Sequence, residues 1–131
     1  MIIQLGRNDV YLGEPLNEMW SKLESEYIKI IINKSNIIIK SKMSVDIDGV
    51  NFRVIIHCKD ERIAKVSLIA MQQQSIEYKD IDEIHKQWLL KKYGDPLEIK
   101  QWGYIYSVDG VRIYSEYDPR SGSSEIVFSS V

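Results

Sequence analysis

The sequence predicts an α+β fold of two layers, a mainly antiparallel sheet with two helices packed on one of its faces. Three observations predict it. Asp48-Gly49 and Asp109-Gly110 each stand between runs that alternate apolar with polar residues. Asp-Gly suits the two-residue type I′ turn, whose central positions both need positive φ. Two other segments repeat their apolar residues at helical spacing. Each of these segments is apolar on one side only, so helices and sheet must cover one another's apolar sides.

The first helix follows Gly13-Glu14-Pro15, with Pro15 suited to a first helical position. Its stripe is Leu16, Met19, Trp20, Leu23 and Tyr27. Residues 27–32 are ambiguous, because the stripe could run on to Ile31. Their β-branched density favours a short strand, closed by a turn at Asn33-Lys34-Ser35-Asn36.

The first Asp-Gly hairpin then places Ile37, Ile39, Met43, Val45 and Ile47 on one side with Val50, Phe52, Val54, Ile56 and Cys58. Lys40, Lys42, Arg53, Ile55 and His57 fall on the other side. The chain turns back through CKDE into a strand over 62–71, with Ala64, Val66, Leu68 and Ala70 inward and Lys65, Ser67 and Ile69 outward. The polar run 72–79 reads as a linker between two units of one helix followed by strands, about 9–71 and 80–131, within a single domain of 131 residues.

The second helix opens at Asp80, a good N-cap with Glu83 as capping-box partner. Its stripe is Ile81, Ile84, Trp88 and Leu89, and it stops at Tyr93-Gly94-Asp95-Pro96. In the second hairpin Val108 faces Val111, Tyr106 faces Ile113, Tyr104 faces Ser115 and Trp102 faces Tyr117. Ile105, Arg112, Tyr114 and Glu116 take the opposite side. The turn DPRSGSS reads as a hairpin connection rather than an anion-binding loop, and a last strand covers 125–129.

The composition bounds the function. The chain is 44% hydrophobic and 27% charged with net charge −2, so it has no long-range attraction for nucleic acid or anionic lipid. No run reaches the roughly 18 apolar residues of a membrane-spanning helix, and the N-terminus lacks the pattern of a secretory signal. Cys58 is the one cysteine. It has no internal disulfide partner, which makes the cytoplasm the expected location. The abundance of Ile, Asn and Lys fits an AT-rich host genome.

No phosphate-loop, dinucleotide, nucleophile-elbow or zinc-protease motif is present. His57 and Cys58 point to opposite sides of one strand, which argues against a Cys–His nucleophile. His85 reads as a boundary residue with wetted nitrogens. Two histidines and one cysteine make no metal spacing, and no cofactor is called for.

The side of the sheet without helices is the candidate site. It collects Lys40, Lys42, Arg53, His57, Lys65 and Arg112 with Ile55, Ile69, Ile105 and Tyr114. Aliphatic and aromatic contacts among cations are the mixture found at protein interfaces. An acidic edge of Glu24, Glu26, Asp80, Asp82 and Glu83 is the alternative surface, suited to a basic partner.

The helix entry VYLGEPLNEMW and the helix exit LLKKYGDP, followed by strands, resemble small bacterial proteins built from helix-plus-hairpin units. These are the outer-membrane assembly lipoprotein BamE and the β-lactamase inhibitor protein BLIP. The resemblance covers helix–strand order over most of the chain. It departs from both in lacking a lipobox cysteine and cysteine pairs, and no residue carries over. It implies a binding module rather than an enzyme. Size, expected location and mild acidity also resemble the immunity proteins that neutralise toxins used between bacteria, which implies a cognate toxin domain as partner. Nucleic-acid binding through the same face, or a small ligand held between helices and sheet by Trp20, Trp88, Trp102, Tyr104 and Tyr106, are the alternatives. The sequence leaves the oligomeric state open.

Overall fold

The computed structural model describes residues 1–71 and 78–130. Of the expected linker over 72–79, only Tyr78 and Lys79 fall among the described residues, and both are already helical. The fold is α+β, with two helices and a large antiparallel sheet.

The chain opens with a feature the sequence reading did not anticipate, a small hairpin of β1 (Ile3–Leu5) and β2 (Asn8–Val10). Its strands are too short for alternation to announce them. They bury Ile3, Leu5 and Val10. Helix α1 (Leu16–Leu23) follows, with Pro15 as its N-cap rather than its first turn. Leu16, Met19 and Leu23 are buried, and each such side chain contributes about 1.5–3 kcal/mol by leaving water. Tyr27 does not extend the helix. It begins β3 (Tyr27–Ile31), which pairs with β4 (Asn36–Ser41). The intervening turn is closed by Asn33 Oδ1, which accepts from the Ser35 and Asn36 amides at 3.0 Å each.

The first Asp-Gly turn joins β5 (Val45–Ile47) to β6 (Val50–Lys59). Asp48 and Gly49 have φ of 52° and 87°, and Asp109 and Gly110 have 50° and 77°. Both turns therefore hold the left-handed pair that the type I′ geometry demands. The strand before the first turn is broken, however. Val45 lies opposite Phe52 and Ile39 opposite Ile56, so two extra residues are accommodated over 42–44. Inserting two residues preserves alternation, and Ile37, Ile39, Val45 and Ile47 stay on one side. Met43, expected among them, is thrown out and is 81% exposed.

Strand β7 (Arg62–Ala70) pairs with β6 through a turn at Asp60-Glu61, and a bulge opposite His57 and Cys58 turns Ile63 inward and leaves Ala64, expected inward, exposed. That turn is latched to α1, since Leu16 donates its amide to the Glu61 carbonyl at 2.8 Å. Helix α2 spans Tyr78–Tyr93, so Asp80 lies within it rather than capping it. It stops as expected at Gly94, whose amide donates to the Leu90 carbonyl at 2.9 Å. Then come β8 (Glu98–Lys100), β9 (Gly103–Val108), β10 (Val111–Asp118) and β11 (Ser123–Ser130).

The strand order is β3, β4, β6, β7, β11, β10, β9, β8, with β5 also on β6. Each half of the chain makes a helix followed by an up-and-down run of strands, and the two runs join antiparallel through β7 and β11. Both helices cover the same side. Lys29, beside Ile39, places its ammonium 4.8 Å from the Trp20 ring centre on α1. Phe52 meets Trp88 of α2 edge-on at 5.4 Å. One buried cluster runs from Leu5 through Met19, Ile39, Phe52 and Leu68 to Leu89, Ile113 and Phe128.

Two details depart from the expected second hairpin. The predicted pairs Val108 with Val111 and Tyr106 with Ile113 are present. Beyond Ile105 the strands pinch together. A Cβ on Gly103 would fall 1.8 Å from the Ser115 carbonyl oxygen, and the Tyr104 amide donates to Ser115 Oγ at 3.1 Å. Trp102 still lies by Tyr117, with ring centres 5.8 Å apart, but it is 44% exposed instead of buried.

Candidate functional site

The side of the sheet away from the helices is organised in rows of directly opposed residues. One row crosses eight strands: Glu98, Ile105, Tyr114, Val127, Ser67, Ile55, Lys40 and Ile28. A second runs Ser107, Arg112, Ser129, Lys65, His57, Ile38 and Ile30. Opposed side chains on one face have Cβ atoms about 4.5–5.5 Å apart, so each row is a line of contacts.

The centre of this face is dry. Val127 and Ser67 have 0% and 1% exposure although neither described helix lies on their side of the sheet. Their cross-strand neighbours do so: Tyr114 flanks Val127, Ile55 flanks Ser67, and both are half-buried. Ser67 Oγ has no hydrogen-bond partner among the described residues. Arg112 lies over the Tyr114 ring, 5.2 Å from its centre. The two side chains form one wall of a groove of about 600 Å³, which Trp102, Ile105 and Ser129 also line.

Charge divides the face. Arg112 and Lys65 stand on one side of the central row. On the other side Glu116 lies opposite Glu125, with Asp118 nearby on the same rim. The Tyr114 hydroxyl is held above its ordinary pKa by burial first and then by Glu116 and Glu125, partly offset by Arg112. Asp118 is held below its ordinary value, chiefly by the amide and guanidinium of Arg120.

The predicted cations do not all contribute. His57 is half-buried, and burial, followed by repulsion from Lys65 opposite, lowers its pKa; it is neutral at pH 7. Lys42 leaves the face at the break after β4, where its ammonium donates to the Ser25 carbonyl at 3.2 Å. Arg53 is exposed and stands opposite Ile69, off both rows. Lys40 is half-buried between Ile55 and Ile28. Lys65, Arg112 and Tyr114 are the predicted residues that the fold brings together around Val127.

The alternative acidic edge does not assemble. Asp82 is buried, where it accepts from Ser124 Oγ at 3.1 Å and pairs with Lys86 at 2.9 Å. Glu26 pairs with Arg7 and faces Asn8 of the N-terminal hairpin. Glu24 caps the C-terminus of α1 and Glu83 lies on α2, and both are exposed. The Asp80 side chain lies outside those described.

His85 is fully buried, not a boundary residue. Its Nε2 accepts the Ala70 amide at 2.9 Å, which leaves Nδ1–H to donate to Ser124 Oγ at 2.8 Å. Ser124 then donates to Asp82, so the relay ties α2 to β7 and β11. Burial lowers the His85 pKa to about 4, against a partial rise from Asp82. The imidazole has both nitrogens engaged, one with Ala70 and one with Ser124. Cys58 points inward, and burial raises its thiol to about 11. Among the described residues no three potential metal ligands come together. Of the residues expected as pocket walls, Tyr106 is core, its hydroxyl donating to the Gly94 carbonyl at 2.9 Å, while Trp88 is buried, donates Nε1 to the Ile47 carbonyl at 3.0 Å and still lines a groove of about 610 Å³ with Val50 and Ile84.

Compared with protein-family models, with curated proteins and with solved structures, the chain matches none.

Proposed function

We propose that the chain is a protein-binding module that docks through the bare face of its sheet, and that it acts as an immunity protein by covering the working surface of a toxin domain in the cytoplasm. The observation that carries this reading is the Arg112–Tyr114 stack that walls the groove, with Ile55 and Lys65 on the same bare face. Apolar and aromatic side chains that a partner can cover, ringed by charge and anchored by Tyr and Arg, are what interface hot spots are made of. The side chains sit on paired strands, so little conformational entropy is lost on docking.

The module has no reaction of its own; it occludes. Glu116 and Glu125, beside Tyr114, weaken the nucleic-acid reading because they repel phosphate where a base would stack. Among the described residues no helix is long and apolar enough to cross a membrane.

The test is affinity capture from the native host with the wild-type chain and with Arg112→Glu, followed by assay of the captured partner. The reading predicts a partner retained only by the wild type, whose activity falls to zero at one equivalent of the module. Retention by both chains, or a partner whose activity is untouched, contradicts it.

A further inference from the structure

We propose that β3 is a self-pairing edge: two copies of the chain join their β3 strands antiparallel about Ile30 and continue one sheet into the other. This surface lies at the end of the sheet, away from the groove beside Tyr114.

The backbone makes the edge available. Ile32 donates its amide to the Asn36 carbonyl at 3.0 Å, and Lys42 donates to the Glu26 carbonyl at 2.9 Å. The even-numbered residues of this segment therefore spend their peptide groups on β4. Those of Tyr27, Lys29 and Ile31 point to the free edge, because the pattern alternates along an antiparallel strand.

The side chains make the edge adhesive. Ile28, Ile30, Ile31 and Ile32 are 49%, 37%, 71% and 56% exposed. Proteins ordinarily blunt such an edge with charge, a bulge or proline. The opposite edge, β8, is blunted in that way, being three residues long and carrying an ion pair between Lys100 and Glu98 at 2.8 Å. On β3 the one charge, Lys29, is folded over Trp20 and away from the edge.

The residue pattern selects both the occupant and the register. With Ile30 opposite its own copy, Ile28 faces Ile32 and Lys29 faces Ile31, so the isoleucines of the bare face meet their twins. At each end Lys34 of one copy, exposed in the β3–β4 turn, comes beside Glu26 of the other, where it would share that carboxylate with Arg7. Sliding the strands two residues toward the N-terminus would set Lys29 against Lys29, a like-charge pair. A second copy is thus complementary to this edge in both charge and apolar pattern.

Light scattering tests the mass. The wild type at about 100 µM is expected near twice 15.3 kDa, and Ile30→Lys near the single mass. Disulfide trapping tests the register and does not depend on that variant. Ile30→Cys falls at a non-hydrogen-bonded pair, with Cα atoms about 4.5 Å apart and within disulfide reach, so mild oxidation should link it into a dimer. Ile28→Cys, facing Ile32 of the second copy, should stay largely unlinked. A wild type that remains monomeric at this concentration, a dimer that survives Ile30→Lys, or trapping at position 28 as efficient as at position 30 would each overturn the proposal.

Discussion

Arg112 holds its guanidinium 5.2 Å above the centre of the Tyr114 ring, on the side of the sheet that no helix covers. The pair tunes the tyrosine. Burial, Glu116 and Glu125 raise its pKa while Arg112 lowers it. Arg112→Gln should therefore move the Tyr114 titration to higher pH, and Glu116→Gln should move it lower. Tyrosine-labelled NMR reads both shifts; equal midpoints in all three proteins would show that these charges do not meet the ring.

The relay from Ala70 through His85 and Ser124 to Asp82 predicts a pH dependence of stability. The folded pKa of His85, about 4, lies below the ordinary 6.5, so the unfolded chain binds the proton more tightly. Its contribution is complete above pH 6.5 and is lost as the pH falls from 6.5 to 4. The loss is about 3 kcal/mol. NMR should give a His85 midpoint near 4 and urea unfolding should weaken across that window; a midpoint near 6.5 would mean the ring is not buried neutral.

Asp60 and Glu61 turn β6 into β7 with φ of 51° and 65°, and neither is glycine. A left-handed residue with a Cβ costs about 1–2 kcal/mol. Glu61→Gly keeps the carbonyl that Leu16 uses and removes that strain. It should raise unfolding free energy by about 1 kcal/mol, and a lower value in urea denaturation would contradict the turn geometry.

Gly103 is needed for the pinch between β9 and β10, where an added Cβ would meet the Ser115 carbonyl at 1.8 Å. Backbone cannot yield as a flexible side chain does. Gly103→Ala should cost about 3 kcal/mol or more, read as a drop in thermal midpoint. A fall under about 1 kcal/mol would place the strands further apart.

Much of the fold was legible because it rests on local rules. Asp48-Gly49 and Asp109-Gly110 declare their turns, and alternation then puts Ile113 with Tyr106 and Tyr114 on the far side. What escaped the reading is set by distant partners. The extra residues at 42–44 leave alternation intact, so the faces read correctly while Ile39 meets Ile56 rather than Cys58. His85 and Asp82 sit one turn or less from Ile81, but the groups that bury them come from Ala70 and Ser124. The dry centre at Val127 depends on β11 entering between β7 and β10, which no local pattern records. The same insertion sets Ser129 between Lys65 and Arg112 on one row, whereas Lys42 leaves at the break after β4 and Arg53 stands opposite Ile69.

The central claim is that the bare face around Tyr114 holds the partner. The most direct measurement is the Kd of the captured partner for Tyr114→Ala beside that for Glu83→Ala, an exposed substitution on α2. The account predicts a loss of about 30-fold or more for Tyr114→Ala, equal to about 2 kcal/mol, with Glu83→Ala within about twofold of wild type. Tight binding by Tyr114→Ala together with a large loss for Glu83→Ala would move the interface to the helices and contradict it.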